Sequence, residues 1–340
     1  MLTCAAGVLA GCESTTSGPD NKITTGPSAR TLFVVNEGNF GKSNSSLDAI
    51  LFRNQNSKLD TIINHGVASG LGLGNDILVV GNKVIVLDNG SNTIDILDAD
   101  SLRMISSISL GLDKPNKMAL ISNDTLLVTR RGRTSAALID LKSAKLVDSI
   151  PLAAMSYAVA VLNGKAYITT GAKSYDGPWD VTVVDLKSRT ITNTFFATGS
   201  PEQAFADSTH NTVVIGMNPD YDKVSPKFYF ISANDVITDS ITVGTPFDLP
   251  QIVSGKPEYL ILQKDIYDFT VADHNLSAPL YHSDSALYNG YYDAKGQDIY
   301  VGRYEFVNGG GKVDVIHVPA KSLSWSFSTG IAPAHFAFYH

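Results

Sequence analysis

Apolar and polar residues alternate along this chain in short runs, and each run closes on a tight polar turn. The plainest case is Ile94-Asp95-Ile96-Leu97-Asp98 before Ala99-Asp100-Ser101-Leu102. The phrase returns as Ala137-Leu138-Ile139-Asp140 before Leu141-Lys142-Ser143, and as Thr182-Val183-Val184-Asp185 before Leu186-Lys187-Ser188. Weaker copies are Ala49-Ile50-Leu51-Phe52-Arg53, Phe228-Tyr229-Phe230-Ile231-Ser232, Asp268-Phe269-Thr270-Val271-Ala272 and Val313-Asp314-Val315-Ile316-His317. A period of two residues predicts strands. Measured between the last residues of successive copies, the spacings are 45, 42, 45, 47, 40 and 45. An all-strand repeat of ~40–50 residues predicts a propeller with one four-stranded blade per repeat. Seven copies predict seven blades.

Within a repeat the expected strands run a to d from the axis outward. In blade two they are Asp76 to Val80, Lys83 to Leu87, Thr93 to Leu97 and Met104 to Leu110. The a–b turns carry Gly81-Asn82, Asn123-Asp124, Asn163-Gly164 and Lys295-Gly296, residues that suit tight hairpins. Gly111…Pro115, Gly199…Pro201, Gly244…Pro246 and Gly330…Pro333 mark crossovers between blades. After the last crossover comes Ala334-His335-Phe336-Ala337-Phe338-Tyr339, an inner strand with no blade behind it. Leu32-Phe33-Val34-Val35 reads as a second strand lacking its first. The C-terminal strand is therefore expected to pair with the N-terminal blade and close the ring, which removes the open sheet edge. The fold expectation is an all-β, seven-bladed propeller over residues 31–340.

Composition narrows the function. The chain has 340 residues, 44% of them apolar, enough for a large core. The net charge of −7 argues against nucleic acid as a partner. Both cysteines, Cys4 and Cys12, precede the propeller, so it has neither a disulfide nor a Cys-based zinc site. Residues 1–12 read as a lipoprotein signal. Leu2 to Ala10 is a short apolar run, and Leu9-Ala10-Gly11-Cys12 matches a lipobox, which makes Cys12 the lipidation site. Residues 13–30, rich in Ser, Thr, Gly and Pro from Glu13 to Asp20, read as a flexible tether. Acyl chains on Cys12 would hold the protein to a membrane surface. No other segment approaches transmembrane length.

In this geometry the a–b and c–d turns share one face, and these are terse. The other face carries the b–c loops and d–a crossovers, which are long and mix aromatic residues with Arg and Asn. That mixture suits ligand binding, since aromatics give stiff apolar area while amides and guanidinium direct hydrogen bonds. The candidate contacts are Asn36, Glu37, Asn89, Arg131, Tyr175, Trp179, Tyr221, Tyr291, Arg303 and Tyr304. Gly70-Leu71-Gly72-Leu73-Gly74 has the look of a phosphate cradle, but a flexible crossover is the simpler reading. Arg130, Arg131 and Arg133 could clamp an anion or form a solvated hairpin end. Asp220 and Asp222 lack the Gly and distal Glu of a calcium loop. No serine elbow or helical His pair appears. The expectation is a non-catalytic binding protein with no catalytic residue, no metal and no cofactor.

The repeat resembles the YVTN/YncE-like seven-bladed propellers. Val35-Asn36-Glu37-Gly38-Asn39-Phe40-Gly41, with Asn44-Ser45-Ser46-Leu47, is similar to the first blade of lipid-anchored propellers from Bacteroidetes. That resemblance implies an outer-membrane or cell-surface protein that captures cobalamin or another corrinoid for a TonB-dependent transporter. Two alternatives stand beside it: an extracytoplasmic propeller enzyme, lyase-like, and a protein–protein scaffold. A His paired with a carboxylate at the axis would favour the enzyme.

Overall fold

Each apolar phrase is the third strand of a four-stranded antiparallel sheet, and seven such sheets surround one axis. The structure is a computed structural model that describes residues 30–39, 41–52, 61–171, 179–197, 199–219, 224–245, 248–255, 259–305 and 310–340. Among these every regular element is a strand, numbered β1 to β28 in chain order. The innermost strands are β28 (Pro333–Tyr339), β4 (Gly74–Val80), β8 (Pro115–Ser122), β12 (Met155–Leu162), β16 (Ser200–Asp207), β20 (Gln251–Ile252) and β24 (Leu287–Asp293). Each touches the next in that order, and β24 returns to β28, so the ring is closed.

Alternation within strands builds the core. Residues of one parity face the preceding blade and those of the other parity face the following blade. Apolar clusters accordingly form between blades. One joins Ile85, Leu87, Ile94 and Ile96 of blade two to Leu126, Val128, Ala137 and Ile139 of blade three. Each of the seven interfaces carries such a cluster.

The polar end of the phrase has a physical cause. Asp98 accepts a hydrogen bond from the Ser101 amide at 2.7 Å, Asp140 from Lys142 at 2.8 Å, and Asp185 from Ser188 at 2.7 Å. The turns then pass through left-handed residues, Leu102 (φ 57°), Ala144 (φ 50°) and Arg189 (φ 58°). A register shift follows each, so the carboxylate fixes a turn that a side chain at positive φ disfavours.

Closure is as the sequence predicts. β28 pairs antiparallel with β1 (Arg30–Asn36), with Thr31 opposite Tyr339 and Val34 opposite Phe336. β2 (Ser45–Phe52) and β3 (Thr61–Leu71) complete blade one. A buried ion pair from Arg30 to Asp293 of β24 ties blade one to blade seven, and the guanidinium lies 5.0 Å from the ring centroids of both Phe52 and Phe338.

Blade seven departs from expectation. Arg303 and Tyr304 belong to β25 (Asp298–Glu305), paired with Lys312 and Gly311 of β26 (Gly310–His317), rather than to a loop.

Candidate functional site

The inner strands begin on the long-loop face, and their first residues surround a cavity on the axis of about 340 Å³. Every blade contributes: Asn75 and Asp76, Asn116 and Lys117, Ala158 and Val159, Glu202 and Gln203, Gln251 and Ile252, Tyr288 and Asn289, Ala334 and His335. Glu37 and Arg131 enter from b–c connections, and Asn218 from the end of the second strand of blade five. A second cavity of about 300 Å³ shares Asp76, Ser254 and His335 with the first. It continues along β4 and β28 past Phe336, Ala337, Phe338 and Tyr291, so His335 sits at a waist between a polar mouth and a more apolar lower chamber.

Side-chain amides lash the ring together. Asn75 donates to Asn116 Oδ1 (3.1 Å), and Asn116 donates to the Tyr157 carbonyl (2.8 Å). Gln203 donates to the Pro250 carbonyl (2.6 Å) and accepts from the Ile252 amide (2.8 Å). One wall holds a continuous charged network. Lys117 Nζ donates to the Asn75 carbonyl at 2.8 Å and lies 3.5 Å from His335 Nδ1. His335 Nε2 lies 3.2 Å from Glu37 Oε1, and the Tyr288 hydroxyl donates to Glu37 Oε2 at 2.8 Å.

Burial pushes the His335 imidazole below its ordinary value, and the Lys117 ammonium adds to that against the pull of Glu37. A neutral ring with its proton on Nε2 donates to Glu37 and accepts from Lys117. For Glu37, burial alone would raise the carboxyl, but the hydrogen bonds from His335 and Tyr288 and the Lys117 charge outweigh it and hold the group low.

Further along blade three the arrangement is different. The Arg131 guanidinium stacks 4.9 Å from the Tyr157 ring centroid and has no carboxylate partner among the described residues. Its neighbours do: Arg130 and Arg133 both clamp Asp113, Arg130 at 2.7 Å. The anion clamp suggested by the arginine cluster therefore exists, but the anion is the protein's own, and only Arg131 faces the axis. Asp88 likewise fills the glycine-rich cradle, accepting from the Gly72 and Leu73 amides at 2.6 and 2.8 Å.

Of the candidate contacts, Glu37 and Arg131 reach the mouth, and Tyr291 lines the lower chamber beside Phe338 (5.6 Å between centroids). Four do not reach the mouth. Trp179 is 4% exposed in the core between blades four and five, edge-on to Tyr157 at 4.9 Å, because it opens a strand rather than ending a loop. Arg303 turns away from the axis to Asp314, 3.0 Å away. Asn36 is fully buried, donating to Ser46 at 3.1 Å beside Gly330. Asn89 bonds the Pro115 carbonyl at 2.8 Å and pins the next inner strand. Cys12, Tyr175 and Tyr221, with Asp220 and Asp222, lie outside the described residues; Tyr304 is placed by its backbone alone.

The mouth residues that loop composition missed had a signal of their own. Pro115-Asn116-Lys117, Pro201-Glu202-Gln203, Pro250-Gln251-Ile252 and Pro333-Ala334-His335 repeat the crossover proline, and the two residues after it face the axis.

No protein-family model and no curated protein sequence matches the chain. Among solved structures it is similar to a chain of Kuenenia stuttgartiensis hydrazine synthase, with a TM-score of 0.64 over 78% of this chain and 89% of that one. Identity is 12%, so the likeness concerns the fold alone.

Proposed function

We propose that this protein is a non-catalytic ligand-binding propeller, anchored through Cys12 at an outer-membrane surface, which takes its ligand at the axial mouth of the long-loop face. The observation that carries the reading is the polar cavity of about 340 Å³, to which all seven inner strands contribute. That size suits a small molecule, or one arm of a larger molecule lying across the loops. A corrinoid passed on to a TonB-dependent transporter is the finer form of the proposal and rests on the first-blade resemblance. Its amide arms would find Asn75, Asn116 and Asn289 at the mouth.

The test is calorimetry on the full chain with cyanocobalamin, haem and a ferric siderophore, followed by Arg131→Ala on the mouth and Lys142→Ala on the short-turn face. Binding lost with Arg131→Ala and kept with Lys142→Ala supports the proposal. The reverse would place the function on the other face.

One observation favours a second reading, an enzyme: His335 and Glu37 meet at the axis. Both ring nitrogens of His335 already have protein partners, so acid–base work would require Lys117 to withdraw from Nδ1 first. Turnover of a bound probe by the wild type but not by His335→Gln would establish it over simple binding.

A further inference from the structure

We infer that the group entering the axial mouth is zwitterionic, its carboxylate held by Arg131 and its ammonium by Glu202. The inference rests on the proposed binding role of the mouth but not on a corrinoid. Both side chains line the same cavity and both are partly buried. Neither has a counter-ion among the described residues. Among the described residues the Arg131 guanidinium meets the Tyr157 ring, and the Glu202 carboxylate meets the Ser200 hydroxyl at 3.4 Å. They do not pair with each other, although opposite charges sharing a half-dry cavity attract more strongly than in water. Blade four separates them, and among the described residues it presents Ala158 and Val159 there. Two opposite charges are thus held apart across a small apolar floor.

The rest of the mouth sharpens the assignment. Lys117, His335, Glu37 and Tyr288 satisfy one another, and Asp76 accepts from the Met118 amide at 2.9 Å. Lys117 and Glu37 offset each other in charge beside the neutral His335, and Asp76, which has no counter-ion among the described residues, is held by the amides of Ile77 and Met118. Among the described mouth residues Arg131 is the cation and Glu202 the carboxylate left with the least hydrogen bonding, and their signs specify the ligand. A guanidinium on an aromatic face is pre-organised for a planar carboxylate. A carboxylate with one weak partner retains several acceptor positions for an ammonium. A simple anion would leave one charge unmatched in the cavity and a neutral amide both, which is the costly arrangement.

The test uses the full chain and a ladder of ω-amino acids: glycine, β-alanine, 4-aminobutanoate, 5-aminopentanoate and 6-aminohexanoate. Calorimetry should show one preferred length, since the two charges are fixed in the fold. N-acetylating that ligand, or converting its carboxylate to the amide, should weaken binding at least tenfold, as expected for losing a charged hydrogen bond. Arg131→Gln should abolish discrimination against the amide, and Glu202→Gln should abolish discrimination against the N-acetyl form. Comparison of capped and uncapped ligands on the wild type needs no variant to fold. The inference is overturned if no member binds below ~10 mM, or if the capped forms or acetate bind as tightly as the parent. Binding of cyanocobalamin or haem that is lost in Arg131→Ala, with no binding of the ladder, would overturn the zwitterion while sustaining the mouth as a binding site. If all these probes fail to bind, both readings fall.

Discussion

Replacing Phe338 by alanine should weaken the whole propeller. Phe338 lies on the closing strand β28, and its side chain is 7% exposed. Its ring meets Tyr300 at 5.3 Å, Tyr291 at 5.6 Å and Phe52 at 6.1 Å, with the Arg30 guanidinium 5.0 Å away. Burial of such a side chain contributes ~1.5–3 kcal/mol. Aromatic and cation–π geometry adds roughly 0.5–1.5 kcal/mol. With the residual cavity included, Phe→Ala at such a site costs ~3–5 kcal/mol. The loss also removes packing from the buried Arg30–Asp293 pair that joins blades one and seven. We therefore expect a destabilisation of about 4 kcal/mol, a large share of the ~5–15 kcal/mol typical of a folded domain. Urea unfolding followed by circular dichroism should show a single transition moved to lower denaturant. Phe196→Ala, at a residue 66% exposed, is the control and should shift stability by less than ~0.5 kcal/mol. A Phe338→Ala loss below ~1 kcal/mol, or a separate early transition, would refute the view that β28 closes one cooperative ring.

Two further outcomes follow from named contacts and a third from the lipobox. Gly171→Ala should cost ~1–3 kcal/mol by overpacking, because an added Cβ would run into the Trp179 ring; an unchanged melting point would contradict the packing of Trp179. Acidification should expose the burial of His335. With its pKa lowered in the folded state, its contribution is complete above about 6.5 and is lost as pH falls below that value. The stability slope from pH 7 to 5 should therefore flatten in His335→Gln, by at most ~1.4 kcal/mol per pH unit. Glu37 works in the same sense at lower pH, since its folded pKa is also depressed. Cys12→Ser should release the protein from membranes on fractionation without moving its melting point; a mutant that stays membrane-bound would exclude Cys12 as the anchor.

The fold was legible because the repeat encodes it redundantly. Period-two alternation marks the third strands, and the terminal Asp of the phrase caps a turn with its carboxylate. The orphan strand after Pro333 announces the closure. The site was less legible because strand parity, rather than loop composition, decides where its side chains point. Trp179, Val181 and Val183 share one face of a strand, and that parity alone sends the tryptophan into the core. Arg303 looked free in sequence, yet its partner Asp314 comes from the neighbouring strand, a pairing that only register reveals. Lys117 and His335 were hidden by distance, 218 residues apart in the chain and 3.5 Å apart across the axis. The seven-fold ring juxtaposes them, and no local pattern does.

Ligand binding at the axial mouth of the long-loop face can be mapped residue by residue. Its most direct test is amide hydrogen exchange on the full chain, with and without the tightest binder among the corrinoid, haem, siderophore and ω-amino-acid probes. Protection should concentrate at the starts of β8, β12 and β16, around Lys117, Ala158 and Glu202, and at Arg131. Protection confined to the opposite turns, at Asn163-Gly164 or Lys187-Ser188, would contradict it.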